Sequence, residues 1–146
     1  MNFSRVMQRV PRIGVIIGGM ILSSCAYITN ERSIGDFSGP ALARGVSPEV
    51  LAGIDLDDKI PALAGTQLRT RYWTVLPGGI FPVHSHEDRP AIIYVLSGEI
   101  YEYRNDRPEP VLHKEGGLSL EYNVAHWWIN ESDEQVILLA TDIVKK

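Results

Sequence analysis

Two histidines stand one residue apart in the stretch Gly78-Gly79-Ile80-Phe81-Pro82-Val83-His84-Ser85-His86. In an extended strand successive side chains alternate between faces, so His84 and His86 point one way and Ser85 the other. Two imidazoles held side by side on a rigid strand make half of a metal site. The plainer reading is a packed pair of structural histidines. A further histidine follows downstream in His126-Trp127-Trp128-Ile129-Asn130.

These spacings resemble the cupin family. Its first motif is a Gly, five residues, His-x-His, three or four residues, Glu, six residues and Gly; Gly78, His84, His86 and Gly98 fit it. Its second motif ends in His, three residues and Asn, which His126 and Asn130 fit. The resemblance covers roughly residues 66 to 143. It implies that His126 shares a cavity with His84 and His86 and that the three bind a divalent metal. Two departures alter the ligand set. The usual glutamate position, with six residues between it and Gly98, holds Ala91. The second motif lacks its Pro and second Gly and is a residue or two short before His126.

Three neutral imidazoles can occupy one face of a divalent ion and leave positions open for substrate and water, whereas the more familiar iron set has two His and one carboxylate. Without the carboxylate the ion keeps its full charge and favours anionic chelating substrates such as enolates, thiolates or carboxylates. Some cupin dioxygenases use three histidines, so the resemblance implies Fe2+ first, with Zn2+, Mn2+ or Ni2+ as alternatives. Glu87 directly follows His86, and alternation turns it to the wrong face. His113 matches no motif position and reads as an exposed or core residue.

The elements that must position these groups read as strands. Leu68 to Leu76 is rich in Thr, aromatic and branched residues and ends at Pro77-Gly78-Gly79. Further strands follow at Ile80–His86, Ala91–Leu96, Glu99–Arg104, Pro110–His113, Leu118–Tyr122, Ala125–Ile129 and Gln135–Val144, separated by Gly and Pro turns. Many short strands at such spacing give an all-β sandwich or barrel. The cupin resemblance narrows this to a double-stranded β-helix, the jelly-roll barrel. Arg69, Arg71 and Trp73 share one strand face. Inward, with Ala91, they would line a substrate pocket and hold an anion under an aromatic wall; outward, they would be a solvated face. Arg89 stands at the pocket mouth or pairs with Glu87 and Asp88. Of Trp127 and Trp128, one faces in and one out.

At 146 residues one domain is expected, and 45% hydrophobic with 22% charged residues is ordinary for a globular protein. Three of the 14 bases lie in the first 24 residues, which carry no acid. The rest holds 11 bases against 18 acids, and its net charge of -7 does not suit a nucleic-acid surface. Arg5, Arg9 and Arg12 precede the apolar run Ile13–Leu22, which is too short to span a bilayer. Ser23-Ser24-Cys25 completes the order of a secretory signal. Leu22-Ser23-Ser24-Cys25 also resembles the bacterial lipobox, which implies lipidation at Cys25 and an outer-membrane anchor in the cell envelope. Ordinary cleavage at Ser24-Cys25-Ala26, or an uncleaved anchor, are the other readings.

The expected organisation is a signal peptide over residues 1–24, a linker or tether over 25–47 and a cupin domain over 48–146. Ser47-Pro48-Glu49 has the form of an N-cap with Pro at the first helical position. Two functions follow. One is a metal-binding cupin, an Fe(II) oxygenase by resemblance, acting on a small anionic molecule in the envelope. The other is a non-catalytic, lipid-anchored binder of a small molecule or metal. A structural protein with a degenerate site is a third reading. The resemblance also implies a homodimer.

Overall fold

A computed structural model describes residues 30–58 and 60–146. The signal peptide, Cys25 and residues 25–29 of the expected tether lie outside the described residues. The structure is built almost entirely of strands. In chain order they are β1 (Glu31–Ile34), β2 (Phe37–Pro40), β3 (Arg44–Asp55), β4 (Thr66–Ser85), β5 (Ala91–Ser97), β6 (Glu99–Arg104), β7 (Val111–Lys114), β8 (Leu118–Glu121), β9 (Ala125–Ile129) and β10 (Val136–Lys145). One 3₁₀ turn, Pro61–Leu63, interrupts them. Among the described residues no helix is long and apolar enough to cross a membrane.

The long strand β4 organises the barrel. Its first part pairs antiparallel with β10, from Thr66 opposite Lys145 to Val75 opposite Val136. Its last part pairs with β9, from Ile80 opposite Ile129 to Ser85 opposite Ala125. The resulting order is β7-β6-β9-β4-β10-β5-β8, with β3 added against β4. One strand thus serves two sheets that face each other, and the nearly closed barrel is the jelly roll. Where two strands are expected on either side of Pro77-Gly78-Gly79, the chain stays extended and bends. Gly78 takes φ +69°, and a Cβ on Gly79 would lie 2.7 Å from the Leu76 carbonyl. The bend is fastened by two backbone bonds, Gly78 N–H to the Asn130 carbonyl and Asn130 N–H to the Gly79 carbonyl. Asn130 is therefore structural: its buried amide donates to the carbonyls of Val75 and Glu134.

Two expectations upstream are corrected. The described part of the tether, residues 30–47, is ordered: β1 and β2 form a hairpin through Gly35-Asp36, and β3 begins at Arg44. Gly39 of this hairpin packs against the Trp127 ring with no room for a Cβ, and Arg32 donates to the Val83 carbonyl beside His84. Ser47-Pro48 opens no helix. Pro48 lies within β3, opposite Trp73, and an edge strand tolerates a residue with no N–H to donate.

The core is apolar on the inner faces of both sheets. Val75, Ile93, Val95, Ile100, Trp128, Val136 and Leu138 are buried there, and each aliphatic side chain so buried contributes about 1.5–3 kcal/mol. β8 and β6 do not follow this pattern. In β8, Ser119 and Glu121 are buried while Leu118 and Leu120 are exposed. In β6, Glu102 and Arg104 are buried beside Ile100. These inward polar groups gather around His126 and its partner Glu102.

Candidate metal centre

His84 and His86 point to the same side, as alternation requires, and line one cavity. β9 brings in the third ring, because His126 is the register partner of His84 across the β4–β9 pair. His84 Nε2 lies 3.1 Å from His86 Nε2 and 3.0 Å from His126 Nε2. Donors about 2.1 Å from a shared ion at right angles stand about 3.0 Å apart. The three rings meet as a metal would require.

The far side of each ring fixes the tautomer. His84 Nδ1 lies 2.8 Å from the Pro82 carbonyl and His86 Nδ1 lies 2.6 Å from the Arg89 carbonyl. A carbonyl can only accept, so both rings donate from Nδ1 and turn a bare Nε2 lone pair inward. His126 Nδ1 lies 2.6 Å from Glu102 Oε1. The Trp128 indole N–H stands 3.2 Å from the same Nδ1, but the short contact to a charged acceptor decides where that proton goes. Three lone pairs therefore converge, and among them only that of His86 meets a donor, the Arg89 guanidinium at 3.2 Å. A cation relieves that repulsion, and the donor set suits a divalent transition metal.

Burial keeps these rings neutral. It depresses His84 to about 3, helped by His126 and His86 and opposed by the Pro82 carbonyl. It depresses His86 to about 4, helped by His126 and Arg89. His126 is lowered for the same reason, against the pull of Glu102. Metal at neutral pH would not have to displace protons from them.

Glu102, 1% exposed, anchors His126. Its Oε1 accepts from His126 and from Arg104 Nη1 at 2.9 Å. Its Oε2 accepts from His113 Nε2 at 2.8 Å and from the Ser119 hydroxyl at 2.9 Å. Burial would raise its pKa, but hydrogen bonds from His113 and His126 and the charge of Arg104 hold it well below the usual carboxylate range. His113 is thus a buried core residue serving this carboxylate. Glu121, 3% exposed, puts Oε2 3.0 Å from His86 Nε2 and Oε1 3.5 Å from His126 Nδ1. Burial, with Glu102 nearby, pushes it well above the ordinary glutamate value.

His84 and His86 open on a cavity of about 310 Å³, while His126 is fully buried and does not line it. Arg71, Trp73 and Ala91 line it. Arg69 shares their face without lining the cavity; it forms a two-point bond to Asp142, at 3.1 and 2.8 Å. Arg71 also reaches Asp142, at 2.9 Å, and lies over the Trp73 ring. Arg89 stands 3.9 Å from Asp142 and sets Nη2 3.2 Å from His86 Nε2. Three guanidinium groups against one carboxylate leave this wall positive. Arg71 Nε is buried and has no hydrogen-bond partner among the described residues. Trp128 faces in, while Trp127 faces out and stacks on Tyr103 at 4.0 Å. Glu87 is exposed and stays out of the cavity.

Sequence reasoning misses Glu102, Glu121 and Asp142. Their signal is a charged residue at an alternating position inside a strand, which does not by itself say whether that position faces in or out.

Known proteins agree with this architecture. Residues 71–142 match the cupin domain family Cupin_2. No curated protein matches the chain by sequence. Among solved structures, the Schizosaccharomyces pombe Cnp3 cupin domain superposes with a TM-score of 0.56 at 14% identity, covering 78% of this chain and 72% of that one. A cupin-2 domain from Rhodospirillum rubrum gives 0.55 at 16% identity, covering 71% and 63%. An oxalate oxidase solved with the substrate analogue glycolate gives 0.51 at 17% identity, covering 69% of this chain and 55% of that one. At these identities the structures speak for the fold alone. With the family match over residues 71–142, the jelly-roll topology and the inward histidines, this chain carries a cupin domain with a His/Glu cluster able to hold a divalent metal.

Proposed function

We propose that this protein is a metal-dependent cupin of the oxygenase type, with Fe2+ held by His84, His86 and His126 and a small anionic molecule as substrate. The observation that carries this reading is the placement of His86 Nε2 and His126 Nε2 at 3.1 and 3.0 Å from His84 Nε2 while every Nδ1 proton is already engaged. A redox-active ion bound there supplies O2 chemistry that side chains alone cannot.

The chain's own residues bind, orient and exclude water. Arg71 and Arg89, on the positive wall that reaches His86, pair with the anionic group of the substrate. Asp142 holds Arg69 and Arg71 in place. Trp73, Phe81, Ile93 and Leu138 form the apolar lining, and the cavity volume restricts the ligand to a small one. The same proposal puts the protein in the cell envelope, in the periplasm, lipid-anchored to the outer membrane through Cys25. The Arg5, Arg9, Arg12 and Leu22-Ser23-Ser24-Cys25 order supports this. It also includes a homodimer, supported by the exposed apolar row of Ile92, Tyr94, Leu118 and Leu120 on the outer face of β5 and β8.

The test is elemental analysis of the purified protein beside a His84→Ala/His86→Ala variant, followed by an O2-consumption screen of small diketones, thiols and phenolic acids. About one iron per chain, lost in the variant, with substrate-dependent O2 uptake, supports the oxygenase. Metal and ligand binding without O2 uptake makes the protein a binder. No metal in either sample after anaerobic Fe(II) reconstitution refutes the metal reading.

A further inference from the structure

We infer that Glu121 is a fourth protein ligand of the metal, a carboxylate supplied from β8 in place of the one absent at Ala91 on β5. This rests on the metal reading above and changes its ligand set.

The first argument is register. Ala91 and Glu121 are direct partners in the antiparallel β5–β8 pair. Directly opposed residues of such a pair project to the same face of the sheet. Both are buried and both line the cavity. The methyl group at position 91 is too short to reach the histidines, and the side chain across from it is long enough. Glu121 Oε2 arrives 3.0 Å from His86 Nε2, matching the 3.1 Å from His84 Nε2 to that same atom. The Glu121 oxygen thus stands at the spacing of an adjacent ligand from His86 Nε2.

The second argument is elimination. A carboxylate beside a metal-binding histidine usually supports it from outside, by accepting the ring N–H. Here every ring N–H is taken: His84 by Pro82, His86 by Arg89 and His126 by Glu102. Glu102 fills the supporting role with four hydrogen bonds and sits behind His126, against Nδ1. Glu121 touches His86 at its inward nitrogen, and it is nearly fully buried. A buried carboxyl oxygen that meets a lone pair holds a proton or a cation between the two, and a bound metal would take the proton's place. The consequence for substrate is one unit less positive charge at the ion than three histidines alone would leave. The positive wall of Arg71 and Arg89 then carries more of the anion recognition.

The test measures Co2+ and Zn2+ affinity of the full chain by chelator competition, with the Co2+ absorption spectrum as a report on coordination. The variants are Glu121→Gln, Glu121→Ala, Ala91→Glu/Glu121→Ala and His84→Ala/His86→Ala, with folding checked by circular dichroism. Glu121→Gln keeps the size of the side chain in case the alanine variant fails to fold. The inference expects a 10- to 100-fold weaker affinity and an altered Co2+ spectrum in both single variants. It expects recovery of at least half of that loss, on a logarithmic scale, in Ala91→Glu/Glu121→Ala, where the carboxylate returns from the opposite strand. Wild-type affinity and spectrum in Glu121→Gln overturn the inference and leave the three-histidine centre standing. A wild-type chain that binds no better than His84→Ala/His86→Ala overturns the metal reading, and the inference with it.

Discussion

Replacing Glu102 by Gln removes one charge and keeps nearly the same shape, which makes it a sharp probe of how the centre is built. The carboxylate accepts four hydrogen bonds, two at each oxygen. If the Gln carbonyl stays on the His126 and Arg104 side, the new amide faces His113 and Ser119. The Ser119 hydroxyl can rotate to accept, and His113 can move its proton to the other nitrogen. Arg104 keeps its two-point bond to Asp106, at 3.0 Å for each contact. The fold should therefore lose only about 2 kcal/mol, two weakened hydrogen bonds at about 1 kcal/mol each. Glu102→Ala, which leaves all four donors without their acceptor and opens a cavity, should cost about 3–5 kcal/mol. Metal affinity should respond more specifically. A neutral amide holds the His126 proton on Nδ1 less firmly, and loss of such a supporting group typically weakens binding 10- to 100-fold. Urea unfolding gives the first quantity, and chelator competition on the folded variant gives the second. A Glu102→Gln protein that binds Zn2+ as tightly as wild type would refute the view that this carboxylate sets the tautomer of His126.

Arg89→Gln should raise metal affinity severalfold, because the guanidinium N–H now occupies the His86 lone pair and adds a repelling charge. The same variant should weaken binding of small carboxylates, and calorimetry with and without Zn2+ reads both effects. Metal-free protein should lose stability as pH falls from about 6.5 toward 4. The unfolded histidines take up protons across this range while folded His84 and His86, depressed to about 3 and about 4, do not. At about 1.4 kcal/mol per unit, His86 alone accounts for an order of 3 kcal/mol. Buried Glu121, raised above its ordinary value, gains stability over the same range. The comparison is therefore made in Glu121→Gln, where a urea midpoint unchanged from pH 7 to pH 4.5 contradicts the burial argument. Gly98→Ala should destabilise by about 2–3 kcal/mol in urea unfolding. Gly98 sits at φ +81°, and a Cβ there would come 2.9 Å from Val136 Cγ2.

The barrel and the three histidines are legible in the chain for different reasons. Strand alternation puts His84 and His86 on one side without any knowledge of the fold, and the motif spacing brings His126 to them. The carboxylates resist the same reasoning. Leu118-Ser119-Leu120-Glu121 alternates cleanly, but the default that apolar residues face in chooses the wrong side. Here solvent takes the leucines and the barrel takes Ser119 and Glu121, because hydrogen bonding and charge around the histidines outweigh the exposure of two aliphatic side chains. Two of the three acceptors that fix the ring tautomers are backbone carbonyls, of Pro82 and Arg89, which no residue identity encodes. The β1–β2 hairpin did carry a signal. A Gly-Asp pair between Ile34 and Phe37 is a two-residue turn of the kind that joins short strands.

The double duty of β4 bears on the order in which the molecule assembles. Its first part meets β10, the last strand of the chain, and its last part meets β9, so both sheets are joined through contacts distant in sequence. Such contacts require large loops to close before they stabilise anything, and chains built on them fold in milliseconds to seconds rather than microseconds. His84, His86 and His126 all precede β10, yet Asp142, which holds the arginine wall, lies within it. A chain emerging from its N-terminus therefore exposes the histidines before the wall that faces them exists. An ion captured early would close the loop between His86 and His126 and act as a folding nucleus for the barrel that later encloses it.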